Sequence, residues 1–129
     1  MKEADIKRAM VKSIKEHGGY ARRIEDQYAV GMVDTILIPK GLPVFMAEVK
    51  LVKGITFSPS PRQFVELEQI AATQSYHVIP VVIGYKIESR NYYFHAPQMF
   101  IRCVDCFSIT TSDMNFHQQL VQYYHSRRI

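Results

Sequence analysis

Apolar residues recur with helical spacing at the start of the chain. Ile6, Met10, Ile14 and His17, with Ala9 and Ser13, form one stripe, while Lys7, Lys12, Lys15 and Glu16 take the wet side. This pattern predicts an amphipathic helix over residues 3–17, ended by Gly18-Gly19. Residues 20–25 then read as a first strand, and the polar stretch Glu25-Asp26-Gln27 leads into two apolar strands at 31–38 and 44–50. Pro39-Lys40-Gly41 supplies the turn between them. In the second of these strands Val44, Met46, Glu48 and Lys50 share one face, and Phe45, Ala47, Val49 and Leu51 share the other. Both faces begin apolar, so covering layers are expected on both sides of the sheet.

Ser60-Pro61-Arg62-Gln63 opens a second helix: Ser60 is a good N-cap, Pro61 suits the first helical position and Gln63 completes a capping box. Phe64, Leu67, Ile70 and Ala71 make its buried stripe, which runs to about residue 75. Gln63 falls on that stripe too, so it either caps the helix or reaches the rim of a site. Residues 77–85 are a strongly apolar strand, expected to be buried and central, and 91–95 a further strand paired with it across 86–90. The strand–helix–strand run from 44 to 84 is long enough for a right-handed parallel crossover. A short helix at 96–102, a short strand at 106–110 and a last helix capped by Ser112 or Asp113 and running to about residue 124 are expected after it. The tail Ser126-Arg127-Arg128 is expected to fray. The order is that of an α/β protein, an α-β-β-β-α-β core plus C-terminal strand or strands and a helix, with a mixed central sheet flanked by helices.

At 129 residues the chain fits a single domain, 1–129, with a sizeable core. No apolar run approaches the roughly 20 residues that span a membrane, and the polar start Met1-Lys2-Glu3 is unlike a signal peptide. A cytoplasmic location and no membrane partner are therefore expected. The net charge of +4 is compatible with a polyanionic partner without requiring one. Cys103 and Cys106 form a Cys-x-x-Cys pair with neither a second pair nor a redox-motif setting, and are expected to be reduced thiols in ordinary packing. The five histidines lack metal-ligand spacing, and no phosphate-binding glycine loop or nucleophile elbow is present.

The chemistry concentrates in the hairpin. With the turn centred near Gly41, Asp34 and Glu48 lie opposite each other, β-carbons about 5 Å apart, and Lys50 shares the face of Glu48. Adjacent buried carboxylates repel and lose hydration. An ion pair from Lys50 to either acid would leave the other uncompensated, whereas a divalent cation between them removes the conflict. These are hard oxygen ligands, suited to Mg²⁺ or Mn²⁺, and the carbonyl of Val49 is a candidate further ligand. Such an ion polarises a phosphoryl oxygen and lowers the pKa of bound water, while Lys50 can orient the water and stabilise charge in the transition state. The chemistry suits hydrolysis of a phosphodiester. Glu3 lies seven residues before Met10 and so on the apolar stripe, whereas Asp5 points away. A carboxylate there is either a first-turn charge favoured by the helix dipole or part of a buried site. Arg22 and Arg23 add positive charge beside the hairpin or form a solvated strand edge.

Asp34-x(13)-Glu48-x-Lys50 on a hairpin behind a first helix resembles the PD-(D/E)xK nuclease superfamily, and within it the VRR-Nuc domains, small nucleases found alone in phages or fused to larger repair proteins. The likeness runs from Glu3 to about Gly84. Glu3-Ala-Asp-Ile-Lys-Arg-Ala looks like the family's helix-opening Glu-x-x-Ile-x-x-Ala, Gly31-Met-Val-Asp34 like its Gly-x-Pro-Asp, Glu48-Val-Lys50 like its Glu-Val-Lys, and Ser60-Pro-Arg-Gln63 like its Ser-Pro-x-Gln. Val33 stands where proline is usual, and the loop after Lys50 is longer. The resemblance implies a restriction-endonuclease-like fold and a catalytic set of Asp34, Glu48, Lys50 and Glu3, with Asp5 the competitor of Glu3. It implies metal held by Asp34, Glu48, the Val49 carbonyl and Glu3, with Gln63 in support. Arg22, Arg23, Lys53 and Arg62 are the candidate DNA contacts. It implies Mg²⁺-dependent cleavage of DNA, branched DNA such as Holliday junctions for stand-alone members, by a homodimer, in the host cytoplasm if the chain is phage-encoded. Competing expectations are a nuclease of plain duplex or single-stranded DNA, a DNA-binding module of the same fold that does not cut, and a protein unrelated to nucleic acid whose ion pairs look catalytic.

Overall fold

A computed structural model describes residues 2–24, 34–52, 61–96 and 115–126, with the backbone alone at 61–64. Helix α1, Glu3–Glu16, begins where Asp5 Oδ2 accepts the Lys2 N–H at 2.9 Å and ends where the Gly19 N–H bonds the Ile14 carbonyl at 3.0 Å. Ile6, Met10 and Ile14 are its buried residues. His17 and Ala9, both expected on the stripe, are exposed. The helix stops before His17 can be carried round to the core, and Ala9 lies about 100° from Met10 on the helical wheel, outside the buried arc. Gly19 is a steric requirement: a Cβ there would fall on the Ile38 carbonyl and 2.8 Å from Ile14 Cγ2. Its bareness lets the chain turn from the helix straight onto the sheet.

Strands β1 (Tyr20–Arg23), β2 (Thr35–Ile38), β3 (Val44–Val52), β4 (Val78–Lys86) and β5 (Asn91–His95) form one sheet in the order β1-β2-β3-β4-β5. Only β3 and β4 run parallel, joined across helix α2, Pro61–Ala72. The β2–β3 turn closes with the Leu42 N–H on the Pro39 carbonyl, and Gly41 takes φ +79°, a conformation that favours glycine at the third turn position. The register pairs Thr35 with Ala47 and Leu37 with Phe45. Centring the hairpin on Gly41 predicts this register, but the expected next pair, Asp34 with Glu48, does not form: the Asp34 N–H bonds the Ala47 carbonyl, so Asp34 and Thr35 both face Ala47.

The two faces of the sheet have separate cores. Phe45, Ala47 and Val49 of β3 join Ile6, Met10 and Ile14 of α1 and Phe116, Leu120 and Tyr123 of α3 (Phe116–Ser126). On the other face Leu67 and Ile70 of α2 pack with Val82 and Met46. Helices thus cover both sides. Helix α2 ends at Ala72, short of residue 75, with the Thr73 and Gln74 N–H groups bonded back to Ile70 and Ala71. Helix α3 is capped by Asn115, neither Ser112 nor Asp113: Asn115 Oδ1 accepts the Gln118 N–H at 2.8 Å and Gln118 Oε1 accepts the Asn115 N–H at 3.1 Å. It includes Ser126, expected to fray, whose hydroxyl bonds the Tyr123 carbonyl. Apart from Ala96, the expected elements at 96–102 and 106–110, Cys103, Cys106 and the tail at 127–128 lie outside the described residues. Among the described residues no helix is long and apolar enough to cross a membrane.

Candidate active site

The site arises because β3 outruns β2. Their paired register ends at Thr35 and Ala47, while β3 continues to Val52. In an extended strand a residue's N–H and C=O point to the same edge, so Val49 and Leu51 both address the edge beyond the β2 ladder. Two acids meet those donors. Asp34 Oδ2 accepts the Val49 N–H at 3.2 Å, and Glu3 Oε1 accepts the Leu51 N–H at 3.4 Å. The Val49 carbonyl faces that edge as well, beside Asp34.

Asp34 is fixed from several sides. Its backbone N–H bonds the Ala47 carbonyl and its carbonyl accepts from Ile24. Its Oδ1 takes the hydroxyl of the fully buried Thr35 at 2.8 Å. Lys7 Nζ stands 3.1 Å from Oδ2, both side chains less than one-fifth exposed. Lys7 is therefore not on the wet side of α1, and the second acid is not left uncompensated. Helical geometry explains its position, since Lys7 is one turn after Glu3 and about 60° from Met10, at the margin of the buried arc.

Glu48 is 1 % exposed and hydrogen-bonded to Asp34, and Lys50 Nζ lies 3.7 Å from its Oε1. Burial, then the charge of Asp34 and the hydrogen bond to it, push the Glu48 carboxyl up to about 8; Lys50 and Lys7 pull the other way. Near neutrality Glu48 therefore keeps its proton beside Asp34.

The structure brings Asp34, Glu48, Lys50 and Lys7 together and places Glu3 at the same edge, one strand repeat further on. Asp5 instead caps α1 and pairs with Arg8 at 3.3 Å on the exposed side. Among the described residues no three His, Cys, Asp or Glu side chains are close enough to hold a metal ion, so Glu3 stands apart from the Asp34–Glu48 pair. Arg22 is exposed and Arg23 half-buried on β1, separated from β3 by β2. Gly31, Val33, Lys53 and Ser60 lie outside the described residues, as do the side chains of Arg62 and Gln63. Sequence reasoning missed Lys7 and Thr35. The i, i+4 spacing from Glu3 was the available signal for Lys7; nothing but adjacency to Asp34 marked Thr35.

The residues present suit a divalent cation: two adjoining carboxyl groups and a main-chain carbonyl, all hard oxygens, with one acid holding a proton that a cation would displace.

No protein-family model matches this chain, and no curated protein matches it. Among solved structures the chain is similar to Hjc of Archaeoglobus fulgidus, a Holliday junction resolvase from an archaeal hyperthermophile, with a TM-score of 0.61, 19% identity, and coverage of 79% of this chain and 78% of that chain. The likeness establishes the fold. The five-stranded mixed sheet with its flanking helices is restriction-endonuclease-like.

Proposed function

We propose that this chain is a metal-dependent DNA endonuclease of the VRR-Nuc type, selective for branched DNA such as Holliday junctions and acting as a homodimer. The observation that carries the reading is the Asp34–Glu48 pair with Lys50 beside it at the end of β3. An ordinary core has no use for two adjoining acids, one of them forced to keep a proton. The four sequence motifs support the family reading, and the fold shared with a Holliday junction resolvase supports the substrate class. One site per small domain cuts one strand, and resolving a junction takes two symmetric cuts, which favours a dimer.

Asp34, Glu48 and the Val49 carbonyl would hold Mg²⁺ or Mn²⁺. When bound, the ion neutralises charge on a phosphoryl oxygen and makes water a better nucleophile at neutral pH. The remaining work falls to this chain. Lys50, tethered to Glu48, orients the attacking water and stabilises charge that develops on the phosphorane oxygens. Thr35 and the Val49 N–H hold the Asp34 carboxylate in one orientation, so nothing needs to reorganise during reaction. Glu3, anchored on Leu51, closes the edge of the site from α1.

The two ammonium groups beside the acids, Lys7 on Asp34 and Lys50 on Glu48, favour one second reading: a module that binds DNA through this fold without cutting it. One assay separates the two. A four-way junction, matched duplex and single strand are each incubated with the protein and Mg²⁺, or with chelator. Metal-dependent cutting of the junction over the duplex supports the proposal. Equal cutting removes the selectivity, and binding without cutting favours the module.

A further inference from the structure

We infer that Lys7 is a positioning residue that occupies the place of the cation at Asp34, so that the site loads by exchanging an ammonium group for a metal ion. The inference rests on the nuclease reading above and names the element that regulates its metal site. Lys7 Nζ is 3.1 Å from Asp34 Oδ2, the same oxygen that takes the Val49 N–H. Asp34 is one of the oxygen donors that would hold the ion, so the Lys7 ammonium supplies positive charge where the ion would supply it.

A divalent ion and an ammonium group on one carboxylate oxygen repel strongly at these separations, even with the screening of a site near the surface. Loading therefore requires Lys7 to leave, and its long stem at the margin of α1 lets the head move to solvent or to a DNA phosphate without shifting the helix. Until then Lys7 keeps Asp34 aimed along the Val49 edge beside Glu48, so the two acids stay gathered before the ion arrives. Glu3, on the same face of α1 one turn earlier, accepts the Leu51 N–H and so ties that end of the helix to β3.

An ion pair that merely braces the fold and a placeholder behave differently. Loss of a brace lowers stability with or without metal and leaves metal affinity alone or weakens it. Loss of a placeholder lowers stability without metal and strengthens metal binding. The test is calorimetric titration of the full chain with Mg²⁺, and separately Ca²⁺, using wild type, Lys7→Gln, Lys7→Arg and Asp34→Ala, together with melting curves in chelator. The expected result is that Lys7→Gln melts below wild type in chelator yet binds the ion about threefold to tenfold tighter. Lys7→Arg, which keeps the charge, should stay near wild type. Wild type that binds while Lys7→Gln binds equally or more weakly overturns this inference alone. Absence of binding by both proteins overturns the metal-dependent reading on which it stands.

Discussion

Asp34 lies beside the buried Glu48 carboxyl where β2 leaves β3, and its charge helps Glu48 keep its proton. The buried member keeps that proton because burial and the neighbouring charge both disfavour its ionised form.

Stability of the metal-free protein should therefore depend on pH in a definite direction. Folded Glu48 holds its proton up to about 8, against 4.5 for the ordinary carboxyl. Between those values the folded state binds more protons than the unfolded one. The contribution is thus fully present below the lower value and is lost as pH rises through the upper one. The unfolding free energy in chelator, and with it the melting temperature, should fall across that window, by at most about 1.4 kcal/mol per pH unit at its steepest. Glu48→Gln should flatten the slope, and Asp34→Asn should shift it to lower pH by removing the neighbouring charge. A flat profile for the wild type would contradict a Glu48 that keeps its proton in the fold.

Loading the site should release that proton. Calorimetric titration with Mg²⁺ near neutrality, repeated in buffers of different ionisation enthalpy, should give heats that differ by close to one proton's worth per ion bound. Heats independent of the buffer would argue that the ion binds elsewhere.

Glu3 and Asp5, two residues apart on one helix turn, should separate cleanly. Glu3→Gln keeps an acceptor near the Leu51 N–H and so should leave the fold intact while lowering cleavage severalfold or more. Asp5→Ala removes the contact to the Lys2 N–H and should lower the melting temperature slightly with cleavage unchanged. The reverse pattern in melting and cleavage assays would transfer the catalytic role to Asp5.

The seat of α1 should be intolerant of bulk. Gly19→Ala forces a methyl group onto the Ile38 carbonyl and Ile14, which should cost about 1–3 kcal/mol. Because α1 carries Glu3 and Lys7, metal affinity should change as well. Denaturant unfolding beside calorimetry checks both, and a neutral substitution would mean that α1 is not held by this contact.

The hairpin was legible because its signals agree. A glycine turn set the centre and strict alternation set the faces, which gives the register as far as Thr35 and Ala47; the extra Asp34 N–H bond to the Ala47 carbonyl beyond it leaves no mark in the alternation. Lys7 was misplaced for a simple reason: a lysine is assigned to solvent by type, whereas its angle on the wheel puts it at the edge of the stripe. His17 erred in the opposite direction, since the stripe continued in sequence after the helix had stopped. At α3 the hydroxyl and acid at 112 and 113 are good caps in isolation. Asn115 wins because Gln118 reciprocates three residues on. Tertiary partners decided these cases, and a pattern along one segment does not contain them.

The central claim is that Asp34, Glu48 and Lys50 form a hydrolytic site. Its most direct test is cleavage of a labelled four-way junction by wild type, Asp34→Ala and Lys50→Ala in Mg²⁺ and in chelator, with binding measured in parallel. Wild type should cut only with metal, and Lys50→Ala should bind the DNA yet cut it at least about a hundredfold more slowly. No metal-dependent cutting of any DNA by the wild type, or undiminished cutting by either variant, would contradict it.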